Sequence, residues 1–143
     1  VGNLPGGEVF VAPIEESANG ILVVDSMKSA GVTYARKGTK IEIRNGKAVR
    51  ISNERCRLAR VFRRVKNARF LCEFGIGINP KAKVIGNILQ DEKALGTCHV
   101  AFGTNITFGG KIKSSVHLDA IIFKPTIKID GKILMKDGKF VFG

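Results

Sequence analysis

The chain contains two histidines, His99 and His117, and each lies in an extended apolar stretch: Thr97-Cys98-His99-Val100-Ala101 and Ser115-Val116-His117-Leu118-Asp119-Ala120. Asp119 follows His117 by two positions, so on a strand both side chains project from one face, near enough to share a metal ion or a proton. Two glutamates have similarly apolar settings. Glu8 follows Leu4-Pro5-Gly6-Gly7 and opens an apolar strand, and Glu73 is the only charged residue in Phe70-Leu71-Cys72-Glu73-Phe74-Gly75-Ile76-Gly77-Ile78. A carboxylate in such surroundings must be paired, protonated or bound to a cation, because burying it alone is costly. Two His, two Glu and one Asp make a mixed nitrogen and oxygen donor set that suits zinc, cobalt or manganese. Two such ions sharing a carboxylate would activate a water and polarise a carbonyl, as in a hydrolase. A plainer account fits the same residues: an isolated His-x-Asp is more often a hydrogen bond at a sheet edge, and the five residues, spread from Glu8 to Asp119, carry no local signature.

The three cysteines contain no Cys-x-x-Cys pair, which reads as reduced, intracellular thiols. Cys72 and Cys98 immediately precede Glu73 and His99, so strand alternation sends them to the opposite face, into the core. Cys56 falls in the first turn of a predicted helix, where a thiol's pKa is modestly lowered, and nothing else marks it as reactive.

These residues need strands to hold them. Residues 9–12, 20–25, 32–35, 40–44, 47–51, 97–102, 116–123 and 126–129 read as strands, rich in Val, Ile and Leu. Asn45-Gly46, Asp130-Gly131 and Asp137-Gly138 are hairpin signals, since these residue types tolerate positive φ. Ile41 and Ile43 should share one sheet face. Between residues 53 and 68, Leu58, Val61, Phe62 and Val65 follow helical spacing behind a Ser52 or Asn53 cap, which predicts a long amphipathic helix. A short helix is expected over residues 88–95, stopped by Gly96, and residues 103–113 read as a Gly-rich loop. The expected class is therefore α+β: mainly antiparallel β-sheet with one long amphipathic helix and one short helix.

The 143 residues carry 24 Lys and Arg against 12 Asp and Glu, a net charge of +12, and 44% hydrophobic residues. That length suits a single domain with its own core, and the apolar content argues against wholesale disorder. The longest charge-free stretch, residues 94–110, holds four Gly, three Thr, Asn105 and His99, so no membrane span is expected. The first twelve residues lack a basic start and a long apolar block, so no leader peptide is indicated and the cytoplasm is the expected compartment. The chain opens on Val1 rather than Met, which leaves open that it is the C-terminal part of a longer protein. Arg55, Arg57, Arg60, Arg63, Arg64 and Lys66 fill the helix arc opposite its apolar residues. Such a face can dock a polyanion. With no Trp, one Tyr and no recognition motif, nucleic acid is the less favoured partner, and a solvated or partner-covered face fits better.

Four blocks carry a resemblance. Asn3-Leu4-Pro5-Gly6-Gly7-Glu8-Val9-Phe10-Val11-Ala12-Pro13, Glu73-Phe74-Gly75-Ile76-Gly77-Ile78-Asn79-Pro80, Gly96-Thr97-Cys98-His99-Val100-Ala101-Phe102-Gly103 and His117-Leu118-Asp119 resemble, in order and context, the thermophilic metalloaminopeptidase family typified by aminopeptidase T. The resemblance implies that residues 1–143 correspond to that family's C-terminal metal-binding domain. It implies a pair of divalent ions (zinc, cobalt or manganese) held by Glu8, Glu73, His99, His117 and Asp119; one of the two glutamates can double as proton acceptor, and Glu73 is taken as the catalytic candidate. It also implies a peptide substrate with a free amino terminus and a homodimer. The family carries a Tyr in the loop after the first metal-binding His; here that loop reads Phe102-Gly103-Thr104-Asn105-Ile106-Thr107-Phe108-Gly109-Gly110, and the one Tyr is Tyr34. The alternative function is a non-catalytic module of the same fold that uses the basic helix for a polyanionic partner.

Overall fold

A computed structural model of the chain describes residues 6–141. Asn3, Leu4 and Pro5 of the first resemblance block lie outside the described residues. In chain order the elements are β1 (Glu8–Val11), β2 (Gly20–Val23), β3 (Met27–Ser29), β4 (Val32–Ala35), β5 (Lys40–Arg44), β6 (Lys47–Ile51), α1 (Arg57–Arg64), β7 (Leu71–Gly77), α2 (Ile88–Asp91), β8 (Thr97–Gly103), β9 (His117–Phe123), β10 (Ile127–Ile129), β11 (Lys132–Lys136) and β12 (Lys139–Phe140). The chain is thus α+β, mostly antiparallel strands with two helices. A four-stranded sheet runs β1-β7-β8-β9, antiparallel throughout. Smaller sheets are β2-β5-β6, β10-β11-β12 and the β3-β4 pair.

The hairpin turns form as their residue types require. Asn45 and Gly46 take φ of 48° and 69° between β5 and β6, and Asp130-Gly131 and Asp137-Gly138 do the same beside β11. Ile41 and Ile43 are both buried, as strand alternation predicts. The strand β3 was not anticipated; its three residues carry no alternation and form by pairing with β4.

The long helix is a correction. It spans eight residues rather than the expected sixteen, because the segment before it folds as a turn closed by Asn53 and the helix proper is capped by Cys56, whose Sγ accepts from Ala59 N at 3.4 Å. It ends at Val65, which is already extended, and Asn67 follows with φ of 60°. Its amphipathic reading holds: Leu58, Ala59 and Phe62 are buried, whereas Arg57, Arg60, Arg63 and Arg64 are exposed. The second helix is also shorter than expected, four residues capped by Asn87, with the rest of the segment in turns.

The main core lies between α1 with β5 and β6 on one side and one face of the four-stranded sheet on the other. Leu58, Phe62, Ile41, Ile43, Phe102, Leu118 and Ala120 are buried together there, and Phe62 meets Phe102 edge to face at 5.4 Å. This packing occupies the even-numbered positions of β8 and β9. The odd-numbered positions are left for the other face of the sheet.

Candidate metal centre

Pairing across the sheet decides which residues share that second face. Gly75 lies opposite His99, Ala101 opposite Asp119 and Gly103 opposite His117; Glu73 lies opposite Ala101, and Glu8 opposite Gly77. Cross-strand partners point to the same side, so Glu8 on β1, Glu73 on β7, His99 on β8, and His117 and Asp119 on β9 all project from one surface. The structure brings all five sequence candidates together. His99 Nε2 is 3.2 Å from Glu73 Oε1 and 3.5 Å from Glu8 Oε2. His117 Nε2 is 3.0 Å from Glu73 Oε2 and 3.3 Å from Asp119 Oδ1. Two groups able to hold a cation result, Glu8 with Glu73 and His99, and Glu73 with His117 and Asp119. Glu73 belongs to both, one oxygen facing each histidine.

Gly75 makes the arrangement sterically feasible. A Cβ there would stand 2.2 Å from His99 Cε1 and Nε2, so the imidazole lies where a side chain would otherwise be.

The two rings differ in how they are held. Thr104 O accepts from His117 Nδ1 at 2.8 Å, which leaves Nε2 to face two carboxylate oxygens. A lone pair aimed at two carboxylates is repulsive unless a proton or a metal ion lies between them, so this donor set fits a cation. His99 Nδ1 is buried and has no hydrogen-bond partner among the described residues.

The ionisation of these groups follows from the same contacts. Burial disfavours charge on both histidines, but the neighbouring acids outweigh it: Asp119 and Glu73, with the Cys72 thiol, raise His117, and Glu73 and Asp119 raise His99. Burial likewise works against the Glu73 carboxylate, yet hydrogen bonds from His117 and His99 hold it down to about 2.

Cys72 departs from expectation. Its Sγ is 3.7 Å from His117 Nδ1, on the side of the site rather than in the opposite core. The cause is a β-bulge between Leu71 and Glu73, where two steps of β7 face one of β8 and strict alternation breaks. Burial pushes this thiol up. Cys98 lies on the other face, as expected, and burial with Asp25 pushes it up to about 12.

Two residues escaped the sequence reading. Lys93, 1% exposed, contacts Glu8 Oε1 at 3.1 Å and Glu92 Oε1 at 2.5 Å. Asp91-Glu92-Lys93 looks like the polar side of a helix. Instead Asp91 at the end of α2 and the two residues after it are all buried. Burial works against the charges of both, and for Lys93 the contacts with Glu92 and Glu8 prevail and raise it, whereas Glu92 remains raised.

A cavity of about 560 Å³ opens over the site, lined by Glu8, Glu73, Glu92, Lys93, His117 and Asp119 on its polar side and by Phe10, Leu89 and Phe108 on its apolar side. Phe10 meets Phe108 edge to face at 5.4 Å, and Phe108 stands edge to face with His117 at 6.0 Å. The loop after His99 thus contributes a phenyl ring. Tyr34 lies elsewhere, on β4 against the main core.

Over 92% of its length the chain is similar to the structure of 2,5-dihydroxypyridine dioxygenase from Pseudomonas putida KT2440, at 26% identity and a TM-score of 0.77. Over 98% it is similar to wild-type AmpT from Thermus thermophilus, at 26% identity and a TM-score of 0.74. The chain spans 42% and 41% of those two proteins. No curated protein matches it. The family described as thermophilic metalloprotease (M29) matches residues 1–142. A donor set gathered on one sheet face and a family match over nearly the whole sequence agree, and the chain belongs to the thermophilic metalloprotease (M29) family.

Proposed function

We propose that the chain is the metal-binding domain of a metal-dependent aminopeptidase, with Glu8, Glu73 and His99 holding one divalent ion and Glu73, His117 and Asp119 a second. The observation that carries this reading is Glu73, whose two carboxylate oxygens are directed to different histidines. A carboxylate so placed has an oxygen to offer each of two neighbouring cations. When bound, zinc, cobalt or manganese supplies an activated water and a Lewis acid for the scissile carbonyl. The chain's own residues do the rest. Glu73 keeps the two donor groups in register, Thr104 O orients His117, and the cavity beside Phe10, Leu89 and Phe108 receives the amino-terminal residue of a peptide. Exposed Val9, Val11 and Ile14 on and after β1 fit coverage by a further domain or a second subunit, as in a dimer. No helix among the described residues is long and apolar enough to cross a membrane, and we place the protein in the cytoplasm.

The test is hydrolysis of dipeptides by the purified chain in the presence of zinc, cobalt or manganese. Cleavage of the free dipeptide and not of its N-acetyl form is expected, together with bound metal by elemental analysis. Metal-independent cleavage, or equal cleavage of the acetylated form, would refute the aminopeptidase reading.

A pH dependence follows as well. In the metal-free site the acids keep a proton on His117 that a metal ion must displace. Zinc affinity should rise with pH, about tenfold per unit for each proton displaced. Calorimetry in buffers of different ionisation enthalpy measures this release, and an affinity flat with pH would contradict it. For the metal-free fold the raised His117 contributes stability below the ordinary histidine range that is lost as pH rises through its folded value. Glu73 contributes above the ordinary carboxylate range, and its contribution is lost as pH falls toward about 2.

A second reading, oxygenation of a dihydroxypyridine, is favoured by the phenyl-walled cavity without a Tyr and by the likeness to a dioxygenase. Oxygen uptake with a dihydroxypyridine, without dipeptide hydrolysis, would select it. The third, a polyanion-binding module, gains no support from the site: the exposed arginines of α1 lie across the sheet from it, on the side of Phe62 and Phe102. Salt-dependent retention on nucleic acid without hydrolysis would favour that reading.

A further inference from the structure

We infer that Lys93 is a resident cation that makes the two halves of the site unequal, so that the Glu73, His117 and Asp119 half fills first and the Glu8, Glu73 and His99 half is a weak, exchangeable position. This rests on the metal reading above and goes beyond it, since that reading does not distinguish the halves.

Three observations converge. The first is the state of the histidines. Thr104 O accepts from His117 Nδ1 at 2.8 Å, which fixes the ring so that Nε2 is already aimed at the site and becomes the donor once its proton is displaced. His99 Nδ1 is buried with no partner among the described residues. To present an Nε2 lone pair, His99 must keep its proton on Nδ1 and bury it without an acceptor, which opposes ligation.

The second is Glu8. One of its oxygens, Oε1, is held by the Lys93 ammonium at 3.1 Å, and only Oε2 is turned toward His99. Lys93 is 1% exposed and is also gripped by Glu92, so it has no solvent to retreat into when a cation approaches. A fixed positive charge on the ligand of a divalent ion lowers that ion's affinity, and the cost is greater where water does not screen it.

The third is access. The side chains of His117 and Asp119 are 30% and 18% exposed and face the cavity, whereas His99 is 1% exposed beneath it. An ion arriving from solvent meets the preformed half first.

The chain has only two histidines, so histidine-selective NMR reports each half separately as zinc is added stepwise. The His117 ring signals should move and saturate with the first equivalent, and those of His99 only in a second phase at least about tenfold weaker. Lys93→Met removes the charge at similar length and should tighten the second phase about tenfold while changing the first by less than about threefold. Overturning results are His99 responding first, both rings responding together, or a second phase that Lys93→Met leaves unchanged or weakens. If that variant does not fold, the order of filling in the unaltered chain decides the question alone. Absence of any response from either histidine would overturn the metal reading itself, an outcome distinct from two equivalent sites.

Discussion

Glu73→Gln should weaken both candidate cation positions in one step. The substitution keeps the shape of the side chain but leaves a single neutral oxygen where two charged ones now face His99 and His117 at 3.2 and 3.0 Å. Loss of an outer partner of a metal ligand typically costs about 10 to 100-fold in affinity or activity. A carboxylate common to both groups stands closer than that, so dipeptide hydrolysis should fall by more than about a hundredfold and bound metal should drop to one ion or none. Elemental analysis and steady-state kinetics on the same preparation measure both effects, with circular dichroism to establish that the sheet is intact. Two retained ions in a folded Glu73→Gln variant would remove Glu73 from the role assigned to it.

The second large effect is steric. In Gly75→Ala the added methyl would stand 2.2 Å from two atoms of the His99 ring, and both residues are held by paired strands. Either the ring leaves its place or β7 and β8 separate locally, and overpacking of this kind costs about 1 to 3 kcal/mol. The expected result is loss of the His99 response to zinc with a modest fall in melting temperature, the His117 response being retained. Gly6→Ala is the control, since among the described residues nothing lies within 4 Å of a Cβ built there. An unchanged His99 response in Gly75→Ala would show that the ring does not depend on that space.

What could be read along the chain was whatever depends on neighbours a few residues apart. The spacing of His117 and Asp119 determined that they share a face, because the strand repeat is two. Asn45-Gly46, Asp130-Gly131 and Asp137-Gly138 determined their turns, because only a few residue types accept positive φ cheaply. The apolar surroundings of Glu8 and Glu73 marked them as acids that must be paired, protonated or bound to a cation, and the four blocks marked the family. Helix length was less legible. Apolar spacing runs on past Val65, yet the backbone there is already extended, and spacing alone does not reveal where hydrogen bonding stops.

Tertiary structure decided the rest, since it depends on pairings between distant residues. The register of β7 against β8 set Gly75 under His99, and the bulge in the same pair turned Cys72 toward His117 against the alternation of its own strand. Just past the end of α2, Glu92 and Lys93 are buried beside the site, Lys93 between Glu8 and Glu92. Which carboxylate is shared was likewise settled by the order β1-β7-β8-β9, which puts Glu73 between Glu8 and the two histidines. Local periodicity determined the face on which each side chain emerges; only long-range strand pairing determined what it meets there, because the energy that fixes register comes from the whole sheet and its core.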